Sequence, residues 1–226
     1  MKRISMQPFV LAAMLLLSGG LAGNVAQADY SPAQIALFDT PHLANIAQPL
    51  TIQYDFSRDG TGDDVTKDQV DVIVTEVMAD GRRNLEFDFL SGPRHRNFPP
   101  IENFRGNPLI MLFLEYDVQE MSAATGGSAL YFRNRIRNAF LVSAEAESVS
   151  FEFDGRSLSG TRVVVSPFIK DPHLIHFPGL EQKSYEFLLS PEIPGGVYRI
   201  RSVTPGGGGA EPIEETVLFR DTVPES

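Results

Sequence analysis

The chain has no cysteine, no tryptophan, only four histidines and a single long apolar run, and each shortage removes a class of function. Without cysteine there are no disulfides, thiolate metal sites or thiol nucleophiles, so burial and hydrogen bonding must supply all of the stability. No serine sits in a Gly-x-Ser-x-Gly elbow, and Pro205-Gly206-Gly207-Gly208-Gly209 lacks the lysine and following helix of a phosphate loop. Strand–helix–strand alternation and a dinucleotide fingerprint are both missing, which argues against a parallel sheet. No nucleophile, base and orienting acid form a set, so neither catalytic residues nor a cofactor are expected. Basic residues are scarce as well, 19 against 29 acidic, a net charge of −10 that repels nucleic acid unless a local basic patch intervenes.

The apolar run lies at the start. Lys2 and Arg3 lead into Phe9–Leu17, then small residues, then Ala26-Gln27-Ala28 before Asp29, the pattern of a Sec-type signal peptide cleaved after Ala28. The run is well short of the ~20 residues needed to cross a bilayer, and no cysteine follows to carry a lipid anchor. The expected product is a periplasmic, soluble chain without a transmembrane segment. It keeps 198 residues, 17 basic and 29 acidic, for a charge of −12, and is read as a single domain over 29–226.

That domain is β-rich. Leu50, Ile52, Tyr54 and Phe56 alternate with Thr51, Gln53 and Asp55, the period of a strand with one buried face. Leu85, Phe87 and Phe89 repeat the pattern, as do Val149, Phe151 and Phe153, then Tyr185, Phe187 and Leu189. Less regular strands are predicted near 68–78, 160–169, 196–203 and 213–220, for about eight in all.

Between about 107 and 142 the period changes. Asn107 is placed to cap a helix with Pro108 in its first turn, followed by Ile110, Phe113, Leu114, Val118 and Met121 at helical spacing. After Thr125-Gly126-Gly127 a second helix carries Ala129, Phe132, Ile136, Ala139 and Phe140 on one side. The fold class is therefore α+β: a largely antiparallel sheet with an inserted helical hairpin. Strands about 4.8 Å apart make eight of them more than about 30 Å wide, whereas two helices cover about 20 Å. The sheet must curl, as an incomplete barrel or folded sandwich, with the helices over its mouth.

Charge divides the hairpin. Glu115, Asp117 and Glu120 make the first helix acidic, while Arg133, Arg135 and Arg137 make the second basic, so pairing across the hairpin is one reading. The other has Arg133 and Arg137, one turn apart, presenting guanidinium forks to an anionic headgroup. Asp55–Asp64 resembles the start of a calcium loop, but Thr66 stands where a bidentate glutamate is needed, so it reads as an acidic hairpin turn. His173 and His176 follow Pro172, and His95 lies between two arginines; loop histidines rather than metal ligands are expected.

Phe104-Arg105-Gly106-Asn107-Pro108, Thr125-Gly126-Gly127-Ser128, Tyr131–Arg137, Phe38–His42 and Gly195–Ile200 together resemble a family of exported proteins of Gram-negative bacteria to which no activity is assigned. The resemblance implies one periplasmic domain and supplies no catalytic residues. The layout, a curled sheet with helices at its mouth, is similar to the periplasmic lipoprotein-carrier fold. A binding or envelope-assembly accessory protein is thus expected, holding a lipid, another apolar ligand or a partner's hydrophobic segment. Phe113, Leu114 and Phe132 would form the helical wall, Phe87, Phe151 and Phe153 the opposite wall, and Arg133 and Arg137 would meet a headgroup. The alternatives are a solid-core module that recognises an envelope protein, and a hydrolase around His95, His173 and His176.

Overall fold

The computed structural model describes residues 30–60, 66–209 and 211–225; the expected signal peptide and its expected cleavage after Ala28 lie outside the described residues. Nine strands form one antiparallel sheet: β1 (Leu50–Asp59), β2 (Thr66–Val77), β3 (Arg83–Phe89), β4 (Ile101–Phe104), β5 (Glu145–Phe153), β6 (Arg156–Val165), β7 (Ser184–Leu189), β8 (Val197–Thr204) and β9 (Ile213–Pro224). Their spatial order is β4-β3-β2-β1-β9-β8-β7-β6-β5. The first and last strands meet in the middle, and β4 and β5, which flank the helical insertion, are the two edges. The hairpin therefore links edge to edge. The sheet is curled and unclosed, and register shifts in the β1–β9, β2–β3 and β7–β8 pairs supply local bends.

Period two builds the core stripe directly. Tyr54 lies opposite Val70, Ile52 opposite Val72, and Val74 opposite Leu85, so one apolar row crosses three strands. The count exceeds the expected eight by one. The extra strand, β4, is four residues long, follows Pro99-Pro100, contains Asn103 at φ +59° and pairs through only two residue pairs, so it has no periodicity to read. β6 also starts earlier than expected, because Asp154-Gly155, at φ +49° and +69°, turns the chain within two residues.

The hairpin follows its local signals. In α2 (Leu109–Thr125) the Leu109 amide donates to Asn107 Oδ1 at 2.9 Å, and Gly126 ends the helix in the left-handed region at φ +69°. α3 (Ala129–Val142) returns beside it. Both press rings into the sheet: Tyr116 meets Phe56 and Phe89 at 6.0 and 5.6 Å between centroids, and Phe140 meets Phe187 at 6.0 Å. Tyr54, Phe56, Phe89, Phe113, Tyr116, Phe132, Tyr185 and Phe187 are each less than 2% exposed. These rings pack between sheet and helices, each fully buried one contributing about 1.5–3 kcal/mol.

An N-terminal segment packs on the helical side. Ser31 caps α1 (Pro32–Gln34), which runs on into a π-helical turn at Ile35–Asp39 and a 3₁₀ turn at His42–Asn45. The Asn45 side chain donates to the Ile193 carbonyl at 2.6 Å and accepts from the Gly195 amide at 3.0 Å. Gly195 and Gly196 both lie at φ +75°, and a Cβ on Gly196 would sit 2.6 Å from His42 Nδ1. The glycine pair lets the β7–β8 turn and the N-terminal segment approach this closely.

Candidate functional site

A groove of about 460 Å³ runs between α2, α3 and the N-terminal segment. Met111, Leu114 and Val118 line it from one turn to the next of α2; Ile136, Phe140 and Leu141 do so from α3, and Phe38 from the N-terminal segment. Its polar lining includes Glu115, Arg133 and Arg137. Arg133 grips Glu115 as a fork, Nε to Oε2 at 2.7 Å and Nη2 to Oε1 at 2.6 Å, and that bond holds the Glu115 carboxyl below the usual range. Arg137 is exposed and makes no ion pair among the described residues. The groove is an apolar trough with one uncommitted guanidinium.

Of the expected binding residues, Leu114, Arg133 and Arg137 come together here. Phe113 and Phe132 do not line the groove: both are buried, Phe113 beside Tyr116 and Phe132 edge-on to Phe168 of the β6–β7 connection. Phe87, half-buried, lies opposite Val72 on the strand pair beyond β1. Phe151 and Phe153 are placed differently from expectation. They share a face of β5 with Glu147, whose partner Arg162 binds Glu186; Tyr185 and Phe187, on either side of Glu186, point toward the helices. Phe151 stacks on Tyr198 at 4.4 Å, and Phe153 packs edge-on at 5.6 Å to Phe219, which lies opposite the core residue Tyr54.

The hairpin charges pair once across the helices and otherwise turn elsewhere. Arg135 lies 2.7 Å from buried Asp171, and Glu120 binds Arg96 at 2.8 Å. Asp117 is buried, taking Lys183 Nζ on Oδ1 at 2.9 Å and the Tyr185 hydroxyl on Oδ2. Beside it, buried Glu215 accepts from Arg58 at 2.8 Å and from the Tyr116 and Ser202 hydroxyls, each at 3.2 Å. A cleft of about 360 Å³ opens onto this cluster past Glu120 and His176. Sequence reasoning missed it, although Asp117 follows Phe113 by four residues and precedes Met121 by four, which puts it on the buried stripe.

With two cations matched to two buried carboxylates, the cluster ties α2 to β7, β8, β9 and β1. Burial pushes the Glu215 carboxyl above the ordinary range and the Asp117 charge adds to this, against the pull of Lys183 and Arg58. A raised folded-state pKa means that the unfolded chain releases this proton first. The group's contribution is then largest below about pH 4.3 and is lost as pH rises toward the raised value. Urea unfolding of the protein and its Glu215→Gln variant should show the protein losing stability relative to the variant as pH rises above about 4.3. A difference independent of pH would mean that Glu215 stays ionised throughout.

No protein-family model matches the chain, and no curated protein matches it. Some solved structures do. The lipoprotein LppX of Mycobacterium tuberculosis is 12% identical, with 87% of this chain and 98% of that chain covered at a TM-score of 0.39. A LolA-superfamily protein of Nitrosomonas europaea is 9% identical, with 86% and 94% covered at a TM-score of 0.24. At these levels neither neighbour assigns a role to any residue of this chain.

The histidines are spread over separate elements. His95 Nδ1 lies 3.0 Å from the Leu90 carbonyl, His173 packs edge-on to Tyr131 at 5.8 Å, and His176 lines the cleft beside Lys183. Among the described residues no three histidines or carboxylates converge as metal ligands do. The acidic segment expected as a hairpin turn lies between two paired strands, with Arg58 opposite Thr66; its residues 61–65 lie outside the described residues.

Proposed function

We propose that the protein is an exported, periplasmic binding protein that holds the apolar chain of an anionic amphiphile in the groove over its helices. The observation that carries this reading is the groove itself. Its volume lies within the ~300–1,000 Å³ typical of ligand sites, its walls are mainly apolar, and Arg137 adds a free cation beside the Arg133–Glu115 pair. Leu114 and Met111 would contact the chain, and Arg137 the headgroup. This reading puts the site between α2, α3 and the N-terminal segment rather than beneath the helices, where the curled sheet alone suggested it.

The test combines lipid extraction and mass spectrometry of protein purified from its host with uptake of a fluorescent fatty acid. Arg137→Glu should weaken uptake about tenfold or more, the size of one charge-assisted hydrogen bond lost and a repulsion gained. Leu114→Trp should obstruct the trough and reduce uptake with little change in fold. If no lipid co-purifies and the probe is not bound, the reading fails. The buried rings between sheet and helices also favour a second reading, a solid-core module that presents the helix pair or the nine-residue edge of β5 to an envelope protein. A single crosslinked protein adduct in intact cells would support it.

A further inference from the structure

We propose that the N-terminal segment is a strap that acid releases from the body of the protein, with His42 as the sensing group. The segment forms one wall of the groove: Phe38 meets Phe140 of α3 edge-on at 5.2 Å, and Gln34 lines the trough beside it. Its attachments are few. Ala33, Leu37 and Leu43 are buried, the Leu43 amide donates to the Arg105 carbonyl at 3.3 Å, and Asn45 clasps the β7–β8 turn. These contacts offset the ordering entropy of a segment whose α-helix is three residues long, so the strap is a unit that opens with the sheet intact. The strap stands on its own contacts and does not depend on what fills the groove.

His42 is 7% exposed, and its Nε2 is buried with no hydrogen-bond partner among the described residues. Nδ1 faces the β7–β8 turn, so close that only glycine fits at position 196. A neutral imidazole tolerates such a site, whereas an imidazolium brings a second N–H and a charge that need partners. No carboxylate supplies one. The cavity of about 250 Å³ beside His42 has Thr40, Asn45, Thr161 and Ser190 as its other polar lining, none of which titrates. Of the charged residues on the elements packed around it, Asp39, Arg105 and Glu192 are exposed and Arg162 pairs with Glu147 and Glu186. Arg83, buried on β3 and donating to the Ile46 carbonyl at 3.2 Å, is itself a cation. Burial lowers the His42 pKa from its ordinary value, against the pull of the Ala36 and Leu37 carbonyls. The docked segment therefore takes up a proton less readily than the released one. Its hold is complete above about pH 6.5 and is lost as pH falls from there toward the lowered value.

The chain has no cysteine, so one introduced thiol reports exposure at one place. Leu37→Cys puts it on the segment, where the residue is 2% exposed; Ala33→Cys repeats the measurement at a second buried position, and Val72→Cys on β2 reports unfolding of the sheet. Each is made with His42 and with His42→Leu, and labelling by a pyridyl disulfide is timed from about pH 7.5 to about pH 5.5. The ratio of the two rates at each pH removes the titration of the thiol and any constant loosening caused by the leucine. On the segment, the rate with His42 relative to His42→Leu should rise at least about threefold across that range, since uptake of one proton raises the open population by at most about tenfold per pH unit. Labelling at Val72→Cys should be at least about tenfold slower, which separates release from unfolding. A ratio that stays flat at both segment positions, or labelling of Val72→Cys as fast as that of the segment, overturns the proposal.

Discussion

Lys183→Met is expected to lower the free energy of unfolding by about 3–5 kcal/mol, the usual cost of leaving one member of a buried ion pair without its partner. Lys183 is 4% exposed and Asp117 2%, so water does not replace the lost ammonium. The Tyr185 hydroxyl would be the main remaining donor to Asp117. Adding Asp117→Leu removes the stranded carboxylate and should recover much of the loss, because an apolar pair of similar size avoids the desolvation cost. Urea denaturation of the single and double variants measures both effects. A single-variant loss below about 1 kcal/mol would place the pair in the class of solvent-screened bridges.

Phe113→Ala is expected to cost about 3–5 kcal/mol and to leave fatty-acid uptake unchanged, since the ring is fully buried and does not line the groove. Its neighbour behaves in the opposite way. Leu114 is turned by about 100° around α2, faces the groove, and should affect uptake far more than stability. Two adjacent residues thus separate core from site. If Phe113→Ala abolished uptake and spared the melting temperature, the ligand would lie beneath the helices and the groove assignment would be wrong.

Much of the fold was legible because its signals are local. Asn107-Pro108 starts α2, Gly126 stops it, and alternation marks β1 and β3. β4 was not legible, since four residues with two pairing contacts show no period. The candidate site was half legible: helical spacing brings Leu114 and the arginines Arg133 and Arg137 to neighbouring surfaces. The missing parts depend on partners remote in sequence. Phe38 enters the groove because Asn45 and Gly195 fasten the N-terminal segment to the β7–β8 turn, and Asp117 meets a lysine 66 residues away.

The amino-acid sequence by itself determined that half-apolar strands outnumber what two helices can shelter, and hence that the sheet curls. It also determined where the helices begin and end, through caps and glycines that act within a few residues. Only the tertiary structure decided that Asp117 meets Lys183 and Tyr185, that Phe151 and Phe153 pack on Tyr198 and Phe219, and that an open trough lies between α2, α3 and the N-terminal segment. Alternation tells a strand that it has two faces, but inter-strand register and the twist of the sheet choose which one is covered.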